Sequence, residues 1–420
     1  MSAVLRPPIP VVVQQHLDNT VVLSGTRAVL VCAPHVQLHR LRRLDDRLAA
    51  SLDGLAVAGD FGRDLCLAAL DAPGPGAMFA NTVGAIEARD PAWLERLLSI
   101  AEAVPESRPG LVSAFGWVPA TALRGITRAL LDSPHAFRRD IGLAACAMHH
   151  ADPEGVLEEA MADTQDAAQA IAVAGELGRI DLLAGCLAAL PREDSVLRFV
   201  AARAALLLGD RQEALRTLVA LAEVIGPQQA VAVVLALKVL PVVQAQGLLR
   251  ALAQEEASLR TLVRGVGAGG DPHHVPWLIA RMADPQLARL AGEAFSMITG
   301  LDLAAGDLEL KPPQGHESGP GDDPDDEDVA MDEDDGLPWP DPEKIDVWWQ
   351  HNGARFPSGS CFFMGQPVSS RHCLAVLRTG AQRQRIAAAE YLSLMSPGTP
   401  LFNTAAPAWR QQWLLSQMEA

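Results

Sequence analysis

The chain has 420 residues, enough for several ordinary domains or for one array that gains core with each added repeat. Its apolar content of 49% includes only 5% aromatic residues and a single tyrosine, which favours close-packed helices over sheets. A net charge of −17 argues against nucleic acid as a partner of the surface as a whole, leaving room only for a local basic groove.

Residues 1–10 carry prolines and a single arginine before a short apolar run, which lacks the apolar core and cleavage site of a secretory signal. No stretch of about 18 apolar residues is uninterrupted, so membrane insertion is not expected. The six cysteines form no CxxC pair and sit mostly in apolar helical contexts. They suggest small buried hydrophobes in a reducing, cytoplasmic setting.

The first clear helix pattern runs over 38–70, where Leu41, Leu44, Leu48, Leu52 and Leu55 step by three or four. Arg42, Arg43, Asp45, Asp46 and Arg47 are expected to fill its solvent face. Asp90-Pro91 predicts a capped helix start, and 110–131 predicts a hairpin plugged by Trp117.

A cap signal then recurs every 28 to 32 residues, at Asp132, Asp163, Asp194, Gly226, Glu256 and Asp284. Midway through each unit falls a second break, at Gly178, Gly209, Pro241 and Asp271. Apolar residues at helical spacing lie between, for example Val196, Phe199, Val200, Ala204 and Leu207. Each unit therefore predicts two helices of about a dozen residues, too short to be stable without neighbours. The period is short for a tetratricopeptide repeat and lacks the ankyrin signature, and it resembles the short bacterial HEAT repeat. The expected fold is all-α: an α-solenoid of HEAT-like helical hairpins with a small helical module after an acidic linker.

The expected divisions are a helical cap region at 1–89, a repeat array at 90–310, an acidic disordered linker at 311–336 and a C-terminal helical module at 337–420. The linker mixes Pro, Gly and 11 acidic residues between Glu317 and Asp335, a composition that buries no core. Asp322 to Asp328 lack the spacing of a calcium loop and suggest a solvated tract. Beyond it, Trp339, Trp348, Trp349 and Phe356 either pin the module to the array or form a contact surface for a partner. Over 374–394 another hairpin is expected, turning at Thr379-Gly380.

No catalytic loop, nucleotide fingerprint or zinc spacing occurs, so no catalytic, cofactor or metal residue is assigned. The pairs His149-His150 and His273-His274 fall near turns and cannot each present two convergent ligands. The run Gly265 to Gly270 follows a helix rather than a strand and suggests a mid-repeat turn. Arg138, Arg139, Arg198, Arg203, Arg211, Arg216, Arg260 and Arg264 recur at similar repeat positions, which builds either an ion-pair ladder or a ligand groove.

The segments QQHLDNTVVL, RLRRLDDRLAASLDGLAVAGDFG, SAFGWVP, RDIGLAACAMHHADP, AGELGR, FVAARAALLLGDR, AGEAFSMITGLDL, DDGLPWPDPEKIDVWW and TGAQRQRIAAAEYL resemble a bacterial family of HEAT-like proteins without assigned enzymatic activity. Ser51 and Phe199-Val200 depart from its pattern. Its members are often encoded in clusters associated with type VI secretion. The resemblance implies a non-catalytic adaptor or effector-associated chaperone whose partner is a protein, such as a secreted effector or spike component. Expected partner-binding residues are Trp339, Trp348, Trp349, Phe356, Arg138, Arg198 and Arg203. The alternatives are a structural scaffold, or a HEAT-like enzyme similar to bilin lyases or helical-repeat DNA glycosylases. An enzyme would need a groove with a buried carboxylate and convergent aromatics, for which Asp140, Glu176 and Glu293 are the nearest candidates.

Overall fold

The structure, a computed structural model, describes residues 7–162, 167–313 and 332–418. Helix makes up 68% of the structure, and the strands among the described residues form two ribbons, each of two strands of two residues. The fold is therefore all-α, built of helices too short to stand alone that bury their apolar faces on neighbours.

The chain divides into two compact units. The first comprises 7–32, 36–173 and 403–418 within the described residues, and the second comprises 33–35 and 174–402. These lines differ from the expected ones. Position 89/90 falls inside the first unit, and 310/311 and 336/337 fall inside the second. Residues 403–418, expected in the C-terminal module, belong with the first unit.

In the first unit, α1 (Pro10–Leu30) packs along α2 (Leu38–Val57), which is followed by α3 (Asp60–Ala68) and α4 (Pro75–Glu87). All five leucines of the anticipated α2 stripe are buried. α1 buries Val13, Leu17, Thr20 and Leu23 at the same spacing, but its sequence shows no clear amphipathic pattern because Val11, Val22 and Val29 stay exposed on its other side. Next come α5 (Pro91–Ala103), α6 (Arg108–Trp117), α7 (Ile126–Leu131), α8 (Ala136–His149), α9 (Val156–Ala162) and α10 (Ala167–Leu177), which the unit boundary crosses. Asp90 caps α5 as expected, accepting from the Trp93 amide at 2.9 Å. Asp132 does not cap α8. It ends α7, paired with Arg128 at 2.9 Å, and α8 starts four residues later. The signal at Asp163 lies outside the described residues.

The second unit continues with α11 (Leu183–Ala189), α12 (Ser195–Leu207), α13 (Glu213–Ala222), α14 (Gln229–Leu237), α15 (Val242–Leu252), α16 (Leu259–Gly269), α17 (Val275–Arg281) and α18 (Ala288–Thr299). α14 packs on α16 and α16 on α18, while α15 packs on α16 and α17 on α18. Asp194 caps α12 through the Val196 amide at 2.8 Å. Pro241 precedes α15, and Gly178 and Gly209 take positive φ just after α10 and α12. The glycine run departs from expectation, since 265–269 are helical and only Gly270 forms the left-handed cap. A Cβ at Gly267 would lie 3.0 Å from the Ala294 Cα, so the missing side chain lets α16 approach α18 closely.

β1 (Glu309–Leu310) pairs antiparallel with β2 (Trp339–Pro340), both within this unit. Of the expected linker, 332–336 pack onto this unit. The tract 314–331, including Asp322 to Asp328, lies outside the described residues, but Asp334 is only 2% exposed. Arg260 donates to both its oxygens at 2.8 and 2.9 Å, and Arg289 donates to its carbonyl at 3.1 Å. Arg289 also pairs with Asp332 and Arg264 with Glu333. A composition that cannot build a core still orders where an arginine row meets it.

α19 (Pro342–Asn352) starts at the Asp341 cap, β3 (Phe362–Phe363) pairs with β4 (Gln366–Pro367), and α20 (Ser370–Thr379) and α21 (Gln382–Met395) form the expected hairpin. The Tyr391 hydroxyl donates to the Ala268 carbonyl at 3.0 Å, Arg383 pairs with Glu293 at 2.9 Å, and Lys238 pairs with Glu390. These bonds join the late hairpin to the repeats as one body. α22 (Ala408–Gln417) returns the chain to the first unit.

Candidate functional site

In the sequence-dense aromatic cluster Phe356 and Phe362 are buried, and Trp339, Trp348 and Trp349 are half-buried. Phe356 is 5% exposed, with ring centroids 5.7 Å from Trp349 and 5.2 Å from Phe362. Trp348 is half-buried and meets Phe295 of α18 edge-on at 5.8 Å. The Arg289 guanidinium lies 4.9 Å from the Trp339 ring. Of the two expected functions, pinning fits these contacts better. The arginines are separated too. Arg138 is bonded to Glu95 at 2.7 Å and Glu102 at 3.1 Å, Arg203 to Glu176 at 3.1 Å, and Arg198 lies half-buried on α12. Arg138 and Arg203 behave as ion-pair rungs.

Four of the six cysteines, Cys66, Cys146, Cys186 and Cys373, are buried as expected, and burial pushes their thiols up to about 11 or 12. Cys32 is exposed. The Nε2 of His149 donates to the Phe115 carbonyl at 2.8 Å, and burial lowers its pKa. No group of three metal-binding side chains exists among the described residues.

A different aromatic set surrounds an open cavity of about 600 Å³ in the first unit. Its walls come from α2, from the C-terminal ends of α4, α6 and α8, and from α22. The anchoring of α22 depends on Asp45, which the charge pattern of α2 had put on the solvent face. Its side chain is instead fully buried. One oxygen accepts from Arg27 Nε at 2.7 Å and the other from the Ala408 amide at 2.7 Å. A helix begins with amides that have no partner inside it, and here a carboxylate from a distant helix supplies one.

Arg410 completes the anchor. Its guanidinium donates to the carbonyls of Gly116, Trp117 and Val118 at 2.9, 3.2 and 2.8 Å, covering the C-terminal end of α6. Burial, helped by the nearby Arg27 charge, lowers its pKa to about 10. Trp409 then packs edge-on to Trp117 with centroids 4.9 Å apart, and Trp117 meets Phe79 at 5.9 Å. Arg42 lies 5.6 Å from the Trp409 ring.

One turn beyond Trp409, Trp413 lines the same cavity yet is 62% exposed. Met148, Leu52 and Leu414 add apolar wall, and Asp53 and Glu87 stand at the exposed rim. Partial burial, reinforced by the Asp53 charge, holds the Glu87 carboxyl above its ordinary range. Neither carboxylate makes a hydrogen bond or ion pair among the described residues. The carboxylates considered for catalysis are elsewhere. Glu176 and Glu293 are paired with Arg203 and Arg383, and Asp140 is half-buried on α8.

Such an arrangement can take up an apolar chain segment, because its walls are large and wettable only at the rim. Sequence reading missed it because Trp117 and Trp409 are far apart along the chain. The four-residue spacing of Trp409 and Trp413, directly after Pro407, was the available signal for a helix with an aromatic face. Searches of protein-family models, curated proteins and solved structures find no match for this chain.

Proposed function

We propose that this chain is a non-catalytic, cytoplasmic adaptor or effector-associated chaperone that holds a protein partner in the groove beneath Trp413. The resemblance to HEAT-like proteins encoded with type VI secretion makes a secreted effector or spike component the expected class of partner. One observation carries the reading. An anchored helix leaves a tryptophan 62% exposed over an apolar cavity of about 600 Å³, where solvent gains nothing from an indole. Tryptophan in such a position is the residue type that dominates binding energy at protein interfaces. Rigid placement of α22 by Asp45 and Arg410 lowers the ordering cost of association.

Affinity purification of the full chain at moderate salt tests this, with Trp413→Ala alongside. A stoichiometric protein partner recovered by the parent and lost from the variant is the expected result. Equal recovery by both removes the groove from the interface, and recovery of no protein partner overturns the adaptor reading.

A further inference from the structure

The groove is an electrostatic as well as an apolar feature. Three helices, α4, α6 and α8, end in residues that line it: Glu87, Trp117 and His149. A helix C-terminus carries partial negative charge on its unpaired carbonyls, and that charge favours cations over the last turn. The molecule answers one of these ends with a cation of its own, since Arg410 donates three hydrogen bonds to the carbonyls at the end of α6.

The rim at the end of α4 has no such answer. Asp53 and Glu87 face the cavity there without a hydrogen bond or ion pair among the described residues. The other charged or titratable groups lining it are His149, His150 and Arg410. His149 is held against the Phe115 carbonyl, and Arg410 is spent inward. Arg89, two residues beyond Glu87, donates instead to the Thr121 carbonyl at 3.5 Å.

We infer that this rim is a site for a cationic side chain, an arginine or lysine carried on an apolar segment of the docked protein. The inference rests on the groove being the docking surface and adds the chemistry of what docks. The cation lies between Asp53 and Glu87, as Arg410 lies against α6, while apolar neighbours on either side pack on Trp413, Met148 and Leu414. Mutual repulsion of the two carboxylates is relieved on binding, so charge discriminates between partners as well as attracting them.

The test uses the full chain and a capped, fluorescein-labelled peptide, Ser-Leu-Arg-Leu-Ser, compared by anisotropy with the same peptide carrying citrulline, which keeps the shape and removes the charge. The arginine peptide should bind the parent about tenfold more tightly, a preference that shrinks to within about twofold in the Asp53→Asn/Glu87→Gln double variant and weakens as salt rises. Equal affinity for the two peptides, or binding of neither, overturns the inference. Thermal melting of the double variant establishes that it is folded. The same variant used in affinity purification separates the two claims. A partner lost with Trp413→Ala but kept in full by the double variant leaves the adaptor standing and sinks the cation site. A partner kept by Trp413→Ala sinks the adaptor groove itself, whatever the peptides do.

Discussion

Two groups of tryptophans invite comparison. Trp339, Trp348 and Trp349 lie within eleven positions of one another, whereas Trp117, Trp409 and Trp413 come from distant parts of the chain. The close-set group is half-buried by packing. Phe356 fills the space beside Trp349, Phe295 meets Trp348 edge-on, and Arg289 lies over Trp339. The scattered group ends in an exposed indole over a cavity. Local density of aromatic residues therefore reports how much surface a segment can bury, and exposure is decided by what the rest of the fold lays against it.

That contrast can be broken, most sharply at Phe356. If the close-set group is interior, Phe356→Ala should cost about 4 kcal/mol, the range for a buried aromatic, in chemical denaturation of the second unit. A cost under about 1 kcal/mol would return the cluster to the surface and to partner binding. Asp45→Ala should be nearly as damaging to the first unit, by about 3 kcal/mol, because it leaves Arg27 and the Ala408 amide without their buried acceptor. Hydrogen exchange should then show α22 opening before the rest of that unit; slow exchange there would mean that Trp409 and Arg410 suffice to hold it.

Smaller effects separate the acidic segment from both clusters. Asp334→Ala should cost about 2 kcal/mol by removing the acceptor of Arg260. Glu333 supplies a pH test. Its hydrogen bond with Arg264, then the Arg264 charge, holds its folded-state pKa below the ordinary carboxylate value. Its contribution is therefore fully present above the ordinary value and is lost as pH falls through the depressed one. Amides at 332–340 should exchange faster on that acidification in the parent, and Glu333→Gln should abolish the pH dependence. The least effect on stability belongs to Trp413→Ala, within about 0.5 kcal/mol, despite the loss of partner binding expected from it.

What could be read from the sequence was local. Asp90 and Asp194 cap helices with their own carboxylates, Gly178 and Gly209 turn the chain, and the α2 leucines mark their own face. The period of the repeats, and hence the all-α class, follows from such signals. Asp45 was misjudged for the opposite reason. Its neighbours Arg42 and Asp46 do form a surface pair, but Asp45 itself is buried between Arg27 of another helix and the Ala408 amide more than 360 positions away. The same distance hid the groove, and the four-part division failed to anticipate that 403–418 completes the first unit. Within the acidic tract, composition alone could not show that Asp332, Glu333 and Asp334 meet Arg289, Arg264 and Arg260.

The return of α22 to Asp45 has a bearing on biosynthesis. A ribosome delivers α2, α4, α6 and α8 long before Ala408 emerges, and nearly all of the second unit is translated in between. Throughout that interval Asp45 waits for its amide and the carbonyls of α6 wait for Arg410. A nascent or prematurely stopped chain therefore lacks the Trp409 and Trp413 wall of the cavity, and under the function proposed above only a polypeptide translated through α22 would hold a protein partner.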